Sequence, residues 1–335
     1  MNSARYNSTK TLLAVDNKVI RTGLREAFKH SGFRQFTEVA EQGALIEALN
    51  TSSFDLIIAS AEIAGMSVAP IISAMRNGRM PHHPFPIVIM LLAESDHDFV
   101  RKVSDAGPDH MMVLPVAPGP MLKRIDDFAI SRRPFVVTLA YTGPDRRKGH
   151  RPGCEEIPLV DVPNPLRAST RHIPDDIRQS EIELTEIHLH ALKLGRYAVQ
   201  LRWLDKTTRE MLKKNEVDSE KLTSLALTMK RIATDLPFDN SELSSEMVLR
   251  LENVIDDLDS GADAILQDGP TVDRHRLIGI LATCRDAASV IEDLIDLPSR
   301  PSPRCAQDPK PGYQDGQRCS GQWLQPTPHK SVPAN

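Results

Sequence analysis

An α/β domain on a five-stranded parallel sheet, followed by an all-α helical region, is the fold class that the sequence predicts, on three observations. From residue 11 to residue 131 short apolar runs alternate with amphipathic stretches, the mark of βα units and a parallel sheet. From residue 179 to residue 298 apolar residues recur every three or four positions, which on a helix gathers them into one narrow stripe. Between these regions, residues 132–178 are rich in proline and arginine and read as a linker. Residues 1–10 read as a short flexible lead, and residues 299–335, dense in Pro, Gly, Gln and Ser, as a disordered tail.

The elements of the first region follow in order. Thr11–Asp16 is a buried strand ending in an acid, and residues 19–30 are an amphipathic helix stopped near Gly32. A second strand, Phe33–Ala40, precedes a helix over 42–49. Phe54–Ser60 is the most apolar run and predicts the central strand. A helix over 68–75, a fourth strand Ile87–Ala93, a helix over 96–106, a fifth strand His110–Leu114 and a helix over 121–130 complete the set. Five strands alternating with five helices make the flavodoxin-like, doubly wound arrangement, in which function sits at the carboxyl ends of the strands.

Several short segments stand at the ends of those strands. They are Val15-Asp16-Asn17, Ser60 closing the third strand, Gly65-Met66 in the turn after it, Leu91-Leu92-Ala93, Ala106-Gly107-Pro108-Asp109 and Val113-Leu114-Pro115-Val116. In this order and at this spacing they resemble the receiver domain of two-component response regulators, over about a third of the chain. The resemblance implies a phosphorylation site at the end of the third strand, and here the residues depart from it. The family's phosphorylated aspartate is replaced by Ser60, and its acidic pair is reduced to Asp16 with Asn17 beside it. Its hydroxyl is replaced by Leu92 and its lysine by Leu114. Phosphoryl transfer relies on a metal and positioned charge to offset the charge of the transferred group. The chain is therefore expected to carry a degenerate pocket with no catalytic residue, no metal and no cofactor. Ser60 is a weak nucleophile without a base and a cation. Asp55 lies at the wrong end of its strand, and Glu62 reads as an exposed loop acid rather than as a Mg²⁺ ligand beside Asp16. The resemblance also implies a protein-binding face on the fourth helix, fifth strand and fifth helix, here carrying His110, Met111, Met112, Val113 and the helix from Met121. Met111 and Met112 also fit strand core.

In the linker, Phe135–Thr138 is β-prone, and residues 157–163 are extended and punctuated by proline. Gly143-Pro144-Asp145-Arg146-Arg147 resembles linkers of bacterial signalling proteins with receiver domains. Its arginines suit a phosphate or an acidic partner, against the plainer reading of a solvated basic run. Four stripes mark the helices beyond it. Leu184, Ile187, Ala191, Leu194, Ala198 and Leu201 form the first, and Leu222 to Leu236 the second. Val248 to Ile265 and Leu277 to Ile295 form the third and fourth. Asn240 or Ser241 suits the cap of the third helix and Thr271 that of the fourth. Stripes this narrow suit a bundle or a coiled coil, closed on itself or paired with a second chain. His190-Ala191-Leu192-Lys193-Leu194-Gly195 resembles the His-x-Leu-Lys-Gly pattern of histidine-phosphotransfer domains. Leu194 fills the place that family keeps small, and the glycine comes one position late. His190 thus reads first as a surface histidine, with a phosphocarrier role as the alternative. His188 and His190, two apart on a helix, make a poor metal pair.

The bulk numbers exclude other classes. The net charge of −4 in 335 residues calls for neither nucleic acid nor an anionic membrane. No apolar run reaches the roughly 18–20 residues of a membrane span, and the polar N-terminus lacks a signal-peptide core. The cysteines, Cys154, Cys284, Cys305 and Cys319, show neither Cys-x-x-Cys nor zinc spacing and read as reduced thiols. The function expected is that of a cytoplasmic, non-enzymatic regulator of a bacterial phosphorelay. Its expected partners are signalling proteins (a histidine kinase, a response regulator or another phosphorelay component), with homodimerisation open.

Overall fold

The computed structural model describes residues 5–93, 96–147, 157–214, 218–236 and 244–295, within one compact unit, Met1–Asp296. Its N-terminal part is a parallel sheet of five strands: β1 (Lys10–Ala14), β2 (Gln35–Val39), β3 (Leu56–Ser60), β6 (Ile87–Leu92) and β7 (His110–Val113). The strand order is β2-β1-β3-β6-β7. A two-residue hairpin, β4 (Glu62–Ile63) with β5 (Met66–Ser67), follows the central strand. The register pairs Thr11 with Leu56, Leu56 with Ile87, and Ile89 with His110. Strands β3 and β6 are buried at every position, as expected of strands covered on both faces.

Side chains alternate across a strand, so the apolar residues divide between two cores. Leu12, Ile57, Val88 and Met90 pack with α2 (Gln42–Thr51), α3 (Ala69–Arg76) and α4 (His97–Asp105). Leu13, Ile58, Ile89 and Leu91 pack with α1 (Lys18–His30) and α5 (Pro118–Ile130).

The expected flexible lead is packed from residue 5 onward. Tyr6 is buried and stacks on Phe33 with ring centroids 4.4 Å apart. Its hydroxyl donates to Asp126, which Arg5 also pairs at 3.1 Å. Thr9 shares a 2.7 Å hydrogen bond with Ser169. One aromatic ring with a core to enter outweighs a polar average composition.

The expected linker is a built element. Strands β8 (Phe135–Val137) and β9 (Thr142–Pro144) form an antiparallel hairpin, and Phe135 also bridges Val160. A short helix, α6 (Pro165–Thr170), is capped by Asn164, whose amide also donates to Phe128 O at 2.7 Å. The arginines that suggested a solvated segment turn inward. Arg132 Nε and Nη2 donate to the Asp109 carboxylate at 2.8 and 3.2 Å, and its remaining donors reach the Phe85, Pro86 and Pro163 carbonyls. Arg76, on α3, donates to Asp109 at 2.8 Å, to Gly107 O at 2.9 Å and to Pro84 O. The Phe135 ring lies against both guanidinium groups, 5.2 Å from Arg76 Cζ and 4.7 Å from Arg132 Cζ. Burial pushes the Asp109 carboxyl up, but Arg132 and Arg76 more than offset this and hold it below the usual carboxylate range. Burial pulls Arg76 down to about 10.

The helical region begins at Asp175, four residues before the expected start. Helix α7 (Asp175–Lys214) has 40 residues and a length of about 60 Å. It is followed by α8 (Ser219–Asp235), α9 (Ser245–Asp268) and α10 (Arg274–Ile295). These four helices share one aliphatic core, from Leu194 and Tyr197 through Leu225, Leu258, Leu281 and Ile291. The bundle therefore closes on itself, as a stripe on every helix allows. Three residues of the first expected stripe stay outside it: Leu184 and Ile187 are 70% and 47% exposed, and Ala191 is half-buried. In those turns α7 instead buries Ile182 and Leu189, against Phe85, Phe135, Val137 and Val160. Ser244 caps α9, while Asn240 and Ser241 lie outside the described residues. Thr271 belongs to a 3₁₀ turn, and Asp273 caps α10 by accepting from the His275 and Arg276 N–H groups. Cys284 is a buried free thiol. The other three cysteines and the expected tail lie outside the described residues.

A polar seam joins the two halves. Lys193 Nζ on α7 donates to Asn77 Oδ1 at 3.2 Å and lies 3.8 Å from Asp235 on α8. The Asp235 carboxylate also accepts from Tyr197 OH at 2.8 Å and pairs with Arg79. At the amino end of β3, Arg178 of α7 donates to Asp55 at 2.6 Å.

Two predictions follow from this packing. Asp109→Asn removes the carboxylate that pairs with two buried guanidinium groups. It is expected to cost about 3–5 kcal/mol, read from urea unfolding; a loss under 1 kcal/mol would contradict a central role for the cluster. Burial, aided by Arg178 and Arg132, pulls the His83 imidazole from 6.5 down to about 3. Between those values the unfolded chain binds a proton that the folded chain refuses. The stability tied to neutral His83 is thus complete above pH 6.5 and lost as pH falls, by up to about 1.4 kcal/mol per unit. His83→Gln retains an acceptor for the Phe85 N–H, which His83 Nδ1 now accepts at 3.2 Å. The variant should show a shallower fall in Tm between pH 6.5 and 4.5 than the parent chain, and parallel curves would exclude this assignment.

Candidate functional site

The carboxyl edge of the sheet is built where β1, β3, β6 and β7 end. Asp16 follows β1 and is exposed, its Oδ1 accepting the Asn17 N–H at 2.9 Å. The Ala64 N–H points at the other oxygen from 3.5 Å, beyond good hydrogen-bond range. Ala64 and Gly65 both have positive φ, 52° and 77°, forming the tight turn of the β4–β5 hairpin. Asn17 is turned away from the pocket. Its Oδ1 accepts from the Val19 and Ile20 N–H groups at 3.0 and 3.2 Å and caps α1, satisfying donors that a helix start leaves unpaired. Arg21, one turn later, spends its guanidinium on the Val15 and Asp16 carbonyls and on Glu38.

Ser60 is buried at the end of β3. Leu92, at the end of β6, is fully buried in the core under α2, α3 and α4. Leu114 packs against the opposite core and donates its N–H to Leu92 O at 2.8 Å; its bond to Pro115 is cis. The fold thus brings Asp16, Ser60, Leu92 and Leu114 to one edge. Among the described residues these four offer a carboxylate, a hydroxyl and two leucines. Glu62 is exposed on β4, paired with Ser67 across the hairpin. Among the described residues no group of three or more His, Cys, Asp or Glu side chains is placed to hold a metal ion.

The other sequence candidates lie elsewhere. Asp55, at the amino end of β3, is buried, and its carboxyl is pushed up by that burial against the pull of Arg178. Met111 and Met112 pack against the two sheet cores. Val113 stays exposed, and His110 meets Phe128 edge-on at 6.3 Å. Arg146 is engaged with Ser104 and the Pro108 carbonyl, while Asp145 pairs with Arg147 at 2.8 Å. His190 is half-buried on α7, where burial and then Lys193 pull its imidazole below the usual range. Leu194, one turn on, is in the bundle core. The Arg76–Asp109–Arg132 cluster was not legible as a unit. Asp109 stood out only within its loop segment, and nothing in residue spacing pairs positions so far apart.

The cap separates a structural role of Asn17 from a metal-binding one. Asn17→Ala is expected to cost about 1 kcal/mol in urea unfolding. Asn17→Asp should keep stability within about 0.5 kcal/mol, because aspartate caps equally well, while placing a second carboxylate beside Asp16. Its amide spectrum around Asp16 should then respond to Mg²⁺ more than that of the parent chain. An Asn17→Ala chain of unchanged stability would remove the capping role.

No family model matches the chain, and no curated protein matches it. Solved structures do. A CheY-like response-regulator receiver domain protein from Methanospirillum hungatei is 17% identical, with a TM-score of 0.33, over 36% of this chain and 93% of that one. The chemotaxis protein CheY4 of Vibrio cholerae is 20% identical, with a TM-score of 0.33, over 36% of this chain and 98% of that one. The receiver domain of a NarL response regulator from Mycobacterium tuberculosis is 19% identical, with a TM-score of 0.32, over 37% and 98%. The strand order β2-β1-β3-β6-β7 makes the N-terminal third of the chain a flavodoxin-like α/β domain, and response-regulator receiver domains are among the solved structures it is similar to.

Proposed function

We propose that the chain is a regulatory protein of a two-component phosphorelay whose receiver-like domain docks signalling proteins without accepting a phosphoryl group. The observation that carries this reading is the composition of the carboxyl edge, where Ser60 ends β3, Leu92 and Leu114 stand at the ends of the next two strands, and Asp16 follows β1. A phosphoryl group there would bring two negative charges beside two leucine positions. Arg21 is committed to two carbonyls and to Glu38. Preorganised charge is the main lever on phosphoryl transfer, and without it Ser60 is a weak nucleophile.

The remaining features suit recognition. Exposed Val113 on β7 and Arg124 on α5 offer an apolar and a basic position for a partner, and the bundle is joined at the amino edge of the sheet. The partners proposed are a histidine kinase, a response regulator or another phosphorelay component. The setting proposed is cytoplasmic; among the described residues no helix is long and apolar enough to cross a membrane.

Incubation of the purified chain with Mg²⁺ and acetyl phosphate, or with a phosphorylated histidine kinase, followed by intact-mass measurement, tests the reading. No gain of a phosphoryl group is expected. A gain that is lost in Ser60→Ala would make the receiver-like edge reactive, and an acid-labile phosphohistidine lost in His190→Ala would make the chain a phosphocarrier.

A further inference from the structure

The bundle-facing seam of α7 does not stop where the bundle stops. On this helix Leu194, Ala198, Leu201 and Leu212 are buried in the bundle core, at the alternating three- and four-residue steps of a coiled-coil seam. Carried back toward the N-terminus, the same steps fall on Ala191, Ile187, Leu184, Ser180 and Ile177. Helix α10, which packs along α7, ends at Ile295, whose side chain approaches Gly195. Beyond that point no described residue of the bundle core covers the seam. Leu184 is 70%, Ile177 55% and Ile187 47% exposed. Single exposed apolar residues are ordinary, but an aligned set over about 20 Å of one helix is a recognition surface. The opposite side of the same turns is already used, since Ile182 and Leu189 pack toward the hairpin and Phe85.

The charges beside the seam specify what fits it. From Asp175 to Ile187 the helix carries Asp175, Asp176, Glu181, Glu183 and Glu186 against one cation, Arg178, which is paired with Asp55. Glu181 falls on one flank of the seam, and Asp176 and Glu183 on the other, where flanking charges choose the partner of a coiled coil. Glu183 also accepts from Gln179 within the helix at 2.8 Å. A second copy would set acid against acid, and an anionic lipid surface would be repelled by the same flanks. We infer that residues 177–191 of α7 are a docking seam for an amphipathic helix of another protein, one with an apolar stripe edged by lysine or arginine. The occupant continues the packing that α10 supplies further along. The inference is independent of whether Ser60 or His190 takes phosphate, because it concerns a different surface and its readout involves no phosphoryl donor.

The test uses the full chain and two fluorescent synthetic peptides of three heptads. Both carry the same Ile/Leu seam, edged by lysine in one and by glutamate in the other, and binding is read by anisotropy. The lysine peptide is expected to bind saturably and at least tenfold more tightly than the glutamate peptide, with affinity falling as salt rises. Leu184→Asp and Ile187→Asp, at exposed positions, should each weaken it at least tenfold with unchanged circular dichroism. A photocrosslinker at position 184 should label the lysine peptide. Absence of saturable binding, equal binding of the two peptides, or undiminished binding by Leu184→Asp would each overturn the inference. So would a dimer of the chain in sedimentation that Leu184→Asp dissociates, which would assign the seam to a second copy.

Discussion

The carboxylate of Asp109, held between the guanidinium groups of Arg76 and Arg132, is the interaction on which the joining of the two halves depends. It lies just before β7, and one of its oxygens also accepts the Val88 N–H at 2.9 Å. Arg132 leaves the end of α5 and reaches the carbonyls before β6 and the Pro163 carbonyl before α6. Only a planar group with several fixed donors can serve a carboxylate and three carbonyls at once; a lysine would leave most of them unpaired. Phe135 closes the cluster by laying its ring against both cations. The hairpin so anchored is the surface on which Ile182 and Leu189 of α7 pack. A buried charge cluster is a costly way to gain stability, but it fixes where each backbone segment lies, and the placement of α7 follows from it.

That placement uses the two edges of the sheet differently. The attachments of the helical region, Asp55 with Arg178 and Phe85 with the hairpin, lie at the amino edge. The described carboxyl edge carries neither of these attachments. In a doubly wound sheet the carboxyl edge is where loops converge and where a ligand is met. Leu92 and Leu114, at that edge, join the cores that hold the sheet.

Much of this was legible in the residues, and the failures have a common cause. Unbroken apolar runs along Thr11–Asp16, Phe54–Ser60 and Ile87–Ala93 mark strands because both faces of each strand must be buried. The stripes from Leu222 and Leu277 mark helices because one face of each must be. Composition misjudged the segments whose polar groups are spent inside. Arginine density suggested a solvated linker, yet Arg132 and Arg146 serve buried or half-buried carbonyls. A polar lead hid Tyr6, which needed only Phe33 to become core. At the candidate site, the places of Ser60, Leu92 and Leu114 at the strand ends were readable from the apolar runs alone. The capping role of Asn17 was not, because a residue that resembles half of an acidic pair is also among the best N-caps.

Periodicity also reported a seam without saying how far its partner extends. The first stripe from Leu184 to Leu201 is continuous in the sequence, but α10 stops at Ile295 and covers only its later part. A helix whose seam outruns its bundle is held from both sides only along part of its length. In α7 the contacts of Ile182 and Leu189 with Phe85 and the hairpin take the place of bundle contacts. Lys193, near the changeover, ties α7 to Asn77 and Asp235 while burial lowers its ammonium to about 8. One rigid helix therefore carries three surfaces in succession or side by side: one for the sheet domain, one for the bundle and one still bare. Because the first two fix its axis, the bare surface is presented at a set angle to both halves, as a docking element requires if what binds there is to register with the sheet domain.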